Sequence, residues 1–263
     1  MMEFIISFRT ELIKIKNSFA LWLIVIGSAF IPVFFLIHHF YEWERYLPKP
    51  DENPWFEYFR KGFNGVHFIL LPMLVALLIG LLLNIEHKSN TWKHIFVLPV
   101  SKTKIYFSKY LLLISLIILF YCLLLLFFFL GALILSLWKT EFNFLLFKPI
   151  YLYHSVQSGI VGFVVKSFIS ILGITAIHFW LSFRLKNLFI NIGIGLAGVV
   201  LSITLYLGKS HSIIYFPYAF PAMMCNFVPD SQHFLSDFHI NSIICFVAVF
   251  ILSYIDFTKK FKG

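Results

Sequence analysis

Charge is scarce in this chain. Aspartate, glutamate, lysine and arginine make up 13% of its 263 residues, about half the share usual in soluble domains, so there is too little polar surface to cover a water-facing globule. Cysteine is rarer still. Cys122, Cys225 and Cys245 form an odd set that argues against a disulfide framework, and Cys122 and Cys245, inside uncharged runs, read as small buried hydrophobes. Glycine, at 13 residues, is too sparse for a collagen-like chain. What is abundant is apolar: 60% hydrophobic and 20% aromatic side chains, with 34 Phe and a mean hydropathy of +0.89. That excess excludes disorder and makes a bilayer the natural solvent.

Six stretches are long and apolar enough to cross about 30 Å of hydrocarbon: 18–40, 65–83, 110–137, 160–181, 188–207 and 240–255. The first is longer than the roughly 7–15-residue core of a signal peptide and no A-x-A site follows it, so it is expected to be kept. The third, between Lys109 and Lys139, is longer than the bilayer is thick and is expected to tilt or project. Six spans put both termini on one side, and the basic residues choose it. Segments 1–17, 84–109, 182–187 and 256–263 hold thirteen Lys/Arg against four acidic residues, while 41–64, 138–159 and 208–239 hold seven against eight. The positive-inside rule then places both termini in the cytoplasm. The formal charge of +9 is accordingly a sign of topology, and it points away from nucleic acid.

The segments between spans carry the functional signal. Residues 1–17 read as an interfacial amphipathic helix, with Phe4, Ile5, Phe8, Leu12 and Ile15 opposite Glu3, Ser7, Thr10, Glu11 and Lys14; a plain cytoplasmic start to the first span is the alternative. In the loop 84–109, Ser89 or Asn90 can cap a short helix, Trp92, Ile95 and Phe96 share one face, and Pro99 stops it. An apolar face on such a helix calls for lipid head groups or a soluble partner. In loop 41–64, Asn53 caps, Pro54 starts and Gly62 ends a helix bearing Trp55, Phe56, Tyr58 and Phe59, which reads as an aromatic belt at the outer head groups. The uncharged run 210–228 is broken by Pro217, Pro221 and Pro229, so 211–236 is expected to be a re-entrant pair of half-helices, with a loose outer loop as the alternative.

The loop from Glu86 to Lys109 spells E-x-x-x-x-T-W-K-x-x-x-x-L-P-V-S-K-x-K-I-x-x-x-K. With its place after an interfacial helix and two spans, it resembles the permease subunits of the ABC-2 superfamily, especially the small bacterial permeases of bacteriocin-immunity and antimicrobial-peptide exporters. The resemblance implies an all-α ABC-2 membrane domain in the bacterial plasma (inner) membrane. It also implies a coupling helix over 85–98 that docks into a separate cytoplasmic ABC ATPase, which carries the ATP and Mg, and a second permease subunit, identical or different. Glu86, Ser89, Thr91, Trp92, Lys93, Ile95, Phe96 and Pro99 are the coupling residues on that view. The run Pro217 to Pro221 is similar to the family's re-entrant element over the translocation path, and the implied cargo is an amphiphile such as an antimicrobial peptide or lipid. A non-transporting membrane scaffold held in a larger complex is the rival reading.

Other motifs dissolve in context. Gly193, Gly195 and Gly198 spell G-x-G-x-x-G inside an apolar span with no preceding strand, so the spacing of Gly193 and Ala197 is read as helix packing. Gly208-Lys209-Ser210 lacks the first glycine of a phosphate loop, because position 203 is Ile. No metal or cofactor is expected in this chain, since its ten histidines show no ligand spacing, and neither a nucleophile elbow nor paired intramembrane carboxylates indicate an enzyme. Lys166, His178 and Asn191 are the polar span residues that could line a path, with snorkelling to the head groups the competing role of Lys166.

Overall fold

The computed structural model describes residues 2–16, 18–49, 53–89, 91–97, 100–146, 159–226 and 234–261, and within them every regular element is helical. Asn90, Leu98, Pro99, Pro229 and Asp230 lie outside the described residues.

Helix α1 (Met2–Ile15) precedes the first spanning helix, α2 (Phe19–Tyr41). The second span is longer than its apolar run. Asn53 Oδ1 accepts from Trp55 N–H at 3.0 Å and Pro54 occupies the first turn of α3 (Pro54–Gly65), as the sequence leads one to expect. Gly62, however, does not end that helix. The chain passes through a π-helical turn (Val66–Leu70) straight into α4 (Leu71–Lys88), so Glu57 to Lys88 is one rod. Hydrophobic packing explains the continuation: Gly62 gives room to the Phe128 ring, and Trp55, Tyr58 and Phe59 are buried against Phe128, Phe129 and Phe144. These aromatics are bundle core and not a head-group belt.

A short helix, α5 (Trp92–Val97), leads to α6 (Lys102–Trp138), whose N-cap Ser101 Oγ accepts from Lys104 N–H at 3.4 Å. At 37 residues, α6 is longer than a bilayer is thick. Then come α7 (Ile160–Arg184) and α8 (Leu188–Leu207), capped by Asn187. After a broken segment containing the single turn α9 (Phe220–Met223), α10 (Asp237–Lys259) closes the described chain. Six of the helices are long and apolar enough to cross a membrane, which makes this a multi-pass membrane protein.

In the bundle α10 packs along α7, α2 along α6, and α4 between α7 and α8, while α1 lies on the start of α6. The end holding α1, α5 and the close of α10 is called the near end. Broad apolar faces of α2, α8 and α10, among them Trp22, Phe34, Val200 and Ile251, point outward, as lipid-facing surfaces do.

The segment after α8 enters from the far end and goes deep. Pro217 Cβ and Cys245 Sγ both close on Gly173, midway along α7, and the Tyr218 ring lies on Gly198, midway along α8. The segment thus reaches mid-bundle, and its described residues form 3₁₀ turns (His211–Tyr215, Pro217–Ala219, Met224–Asn226) around α9 where half-helices were expected. Pro217 and Pro221 lack N–H groups and disfavour helix just before them, which cuts the segment short.

The small-residue contact is also displaced from the spacing read in sequence. A Cβ on Gly193 would meet nothing within 4 Å, and Ala197 is exposed, whereas a Cβ on Gly195 would come 2.8 Å from Ala76 Cβ on α4. Gly195→Ala is expected to force α4 and α8 apart and cost about 1–3 kcal/mol, the range for overpacking. Gly193→Ala is expected to be neutral or slightly stabilising through helix propensity. Thermal unfolding of the purified variants in detergent separates the two.

Candidate functional site

At the near end four charged side chains from three helices meet. Lys109 of α6 pairs with Glu86 of α4 and reaches Glu11 Oε2 of α1 at 2.9 Å; Lys14 of α1 lies 2.8 Å from Glu11 Oε1 and 3.1 Å from Glu86 Oε1. Glu86 is 1% exposed and Lys109 4%. Burial by itself would raise the Glu11 carboxyl, but the ammonium groups of Lys109 and Lys14 outweigh it and hold the group below its ordinary value of 4.5. The same exchange keeps Lys14 above its ordinary value, against the pull of burial. Ser7 and Ser108, 2.9 Å apart, add a second tie between α1 and α6. Helix α1 is thus bolted to the two spans that bracket α5.

Helix α5 itself is turned round from the expected pose. Trp92, Ile95 and Phe96 do share a face, but it points inward. Trp92 is 2% exposed and packs against Phe96, Phe183, Phe257 and Phe261, with Lys109 Nζ 5.3 Å from its ring centre. Lys102 donates to Phe261 O at 2.8 Å and lies over the Phe96 ring. The outward side carries Lys93, His94 and Val97, the last 86% exposed. An exposed apolar face was the wrong picture because the ends of α7 and α10 already cover it.

Ser89 Oγ donates back to Ile85 O at 2.6 Å and so finishes α4, and the chain enters α5 at Thr91, whose carbonyl accepts from Ile95 N–H at 2.9 Å. His87 donates from Nε2 to Ser182 O at 2.8 Å, fixing the loop to α7. Arg184 of α7 pairs with Asp256 of α10, which also accepts from Trp180 Nε1 at 3.0 Å.

Two of the path candidates come together inside the bundle. His178 Nδ1 lies 2.9 Å from Asn191 Oδ1, its Nε2 lies 2.9 Å from Tyr218 OH, and Asn191 Nδ2 donates to Ser182 Oγ at 2.8 Å and to Ala76 O at 3.5 Å. Lys166 is elsewhere, about 18 Å up α7 at 1.5 Å per residue. It is buried, with its Nζ 4.8 Å from the centre of the Phe234 ring.

The profile of the ABC-2 family transporter protein matches residues 7–206, from α1 through α8. The chain belongs to the ABC-2 transporter family. No curated protein and no solved structure matches it. As an ABC-2 membrane domain it is a transmembrane permease component of an ABC transporter, and the α4–α6 loop and the polar interior are to be read in that light.

One polar group of this ABC-2 permease escaped the sequence reading. His67, in the π turn, donates from Nδ1 to Phe63 O at 2.6 Å; its Nε2 accepts from Ser167 Oγ at 2.5 Å, and Tyr121 OH donates to Ser167 at 2.7 Å. A histidine within an apolar run is by default a site to examine, and that signal was present at position 67. Glu11 and Lys109 were likewise visible as charges, but their meeting with Glu86 is a property of the fold.

Lys109→Met leaves two buried carboxylates sharing Lys14 as their one remaining cation in the cluster and is expected to cost about 3–5 kcal/mol. Adding Glu86→Gln removes one of those charges and is expected to recover part of the loss, as read by thermal unfolding in detergent. Glu11 gives a pH dependence. Its carboxyl titrates lower folded than unfolded, so its contribution is present above 4.5 and is lost as pH falls through the folded value. Melting temperatures are expected to hold down to about pH 4.5 and then fall, and Glu11→Gln is expected to shrink that fall.

Proposed function

We propose that this ABC-2 permease is an exporter subunit driven by a separate ATPase that docks on α5. The observation that carries the reading is the mounting of α5. It is seated by Trp92 on α7 and α10, flanked by the Glu11, Lys14, Glu86 and Lys109 cluster that holds α1, α4 and α6 together, and presents only Lys93, His94 and Val97 to solvent. A short helix fixed in this way moves with five other helices when a soluble subunit pushes on it. Trp92 and Phe96 then act as the seat, and Lys93, His94 and Val97 as the touching surface.

The Lys/Arg excess of segments 1–17, 84–109, 182–187 and 256–263 puts the near end in the cytoplasm, where such an ATPase with its ATP and Mg would be. Two permease subunits, identical or different, pair with two ATPase subunits in the bacterial plasma membrane. The cargo is an amphiphile of the antimicrobial-peptide or lipid kind, supported by the loop motif's resemblance to small peptide exporters.

The test is co-purification with an ABC ATPase co-expressed with this chain from the same organism. Lys93→Glu with Val97→Asp is expected to lower recovered ATPase and its stimulation about tenfold without shifting the melting temperature, because both side chains are outside the fold. Trp92→Ala is expected to lower both. Full binding and stimulation in the double variant would sink the assignment of this face.

A further inference from the structure

The buried chain at His178 has a direction, and the direction can be read from its ends. The Ala76 carbonyl only accepts, so the Asn191 amide nitrogen must face it and Ser182 Oγ, which turns Asn191 Oδ1 toward His178. An amide oxygen also only accepts, so His178 carries its proton on Nδ1 and presents the Nε2 lone pair. Tyr218 is then the donor, through its hydroxyl, at 2.9 Å. Every group in the chain is neutral and satisfied, and reversing any one of them strands another in an apolar interior.

Tyr218 is the member that does not belong to a span. It sits at the tip of the re-entrant segment with its ring on Gly198, where a Cβ would come within 2.7 Å, and with Pro217 against Gly173. The other members come from α4 (Ala76), α7 (His178, Ser182) and α8 (Asn191). We propose that Tyr218 is the latch of the re-entrant segment, holding it in the bundle through His178 Nε2, and that Ala76 and Asn191 set the latch by fixing the histidine tautomer.

This rests on the reading of the chain as an ATPase-driven permease for its use but not for its existence. α4 ends at the loop that carries α5, so a shift of α4 against α8 withdraws the Ala76 carbonyl from Asn191, and the amide can then turn. Once Asn191 offers its NH₂ to His178 in place of its oxygen, the Nδ1–H has no acceptor and the imidazole turns away to find one, which carries the Nε2 lone pair off Tyr218. The signal travels as a reorientation of one amide and one imidazole, with no change of charge.

Cys245 supplies a native reporter. Its Sγ lies 3.3 Å from the position of a Cβ on Gly173, the spot that Pro217 also covers, so it is behind the tip of the segment. In a Cys122→Ser, Cys225→Ser background of the full chain in proteoliposomes, a charged thiol reagent on both faces reaches Cys245 only when water does. Tyr218→Phe, which removes one oxygen, is expected to raise the labelling rate about threefold or more, the scale of one interhelical hydrogen bond in a membrane bundle. His178→Phe is expected to raise it as well, and the Tyr218→Phe, His178→Phe double variant no further than the larger single. Tyr121→Phe removes a matched buried hydroxyl from the His67 chain and is expected to leave labelling unchanged. An unchanged rate in Tyr218→Phe overturns the latch, and so does an equal rise in Tyr121→Phe or an additive rise in the double variant. The labelling needs no ATPase, so the latch and the docking on α5 stand or fall separately.

Discussion

Taking ions out of water is the costliest thing this fold does, and at the near end it does so with four of them together. Each of Glu11, Lys14, Glu86 and Lys109 loses hydration worth several kcal/mol, in part for Lys14 and nearly all for Glu86 and Lys109. Such a set adds little net stability over an apolar equivalent, but it tolerates almost no displacement, because any member moved away leaves a buried charge unpaired. The positions of α1, α4 and α6 at the near end follow from that intolerance. Trp92 then finds Lys109 beneath it and the rings of Phe183, Phe257 and Phe261 around it, and α5 has one place to sit.

Within the spans the binding logic changes from ionic to neutral. Helices in lipid gain little from hiding apolar surface from one another, so close approach and hydrogen bonds do the specifying. The His67 chain joins the π turn to α6 and α7, and the His178 chain joins α4, α7 and α8 to the re-entrant segment. Gly195 and Gly198 let α4 and Tyr218 come near enough for the second chain to close.

The spans were legible because their signal is local: a run without charge long enough to cross a bilayer needs no knowledge of neighbours. The family was legible in the Glu86 to Lys109 motif for a similar reason. Direction was not. Trp92, Ile95 and Phe96 mark one face of a helix whether it looks in or out, and only the closing ends of α7 and α10 decide. Gly62 looked like a helix stop because glycine commonly is one, yet the ring of Phe128, far away in sequence, makes it a packing site. Gly193 with Ala197 and Gly195 with Gly198 are rival small-residue faces on one helix, and burial selects the second. Glu86 read as a coupling residue of the loop because its cations, Lys14 and Lys109, are brought to it only by the fold.

The uninterrupted run from Glu57 to Lys88 has a mechanical meaning. At 1.5 Å per residue its 32 residues measure about 48 Å, and the π turn, a type of irregularity that tends to occur where helices do work, divides it unequally. About 30 Å lie on the side of the near end and about 16 Å on the other. Pivoted there, the helix is a lever with arms in a ratio of roughly two to one, so a push at Lys88 arrives at Tyr58 and Phe59 halved in distance, doubled in force and reversed in sense. Small, strong movements are what a close-packed aromatic cluster can transmit without being broken, since its rings interlock and cannot slide past one another by more than a fraction of their thickness.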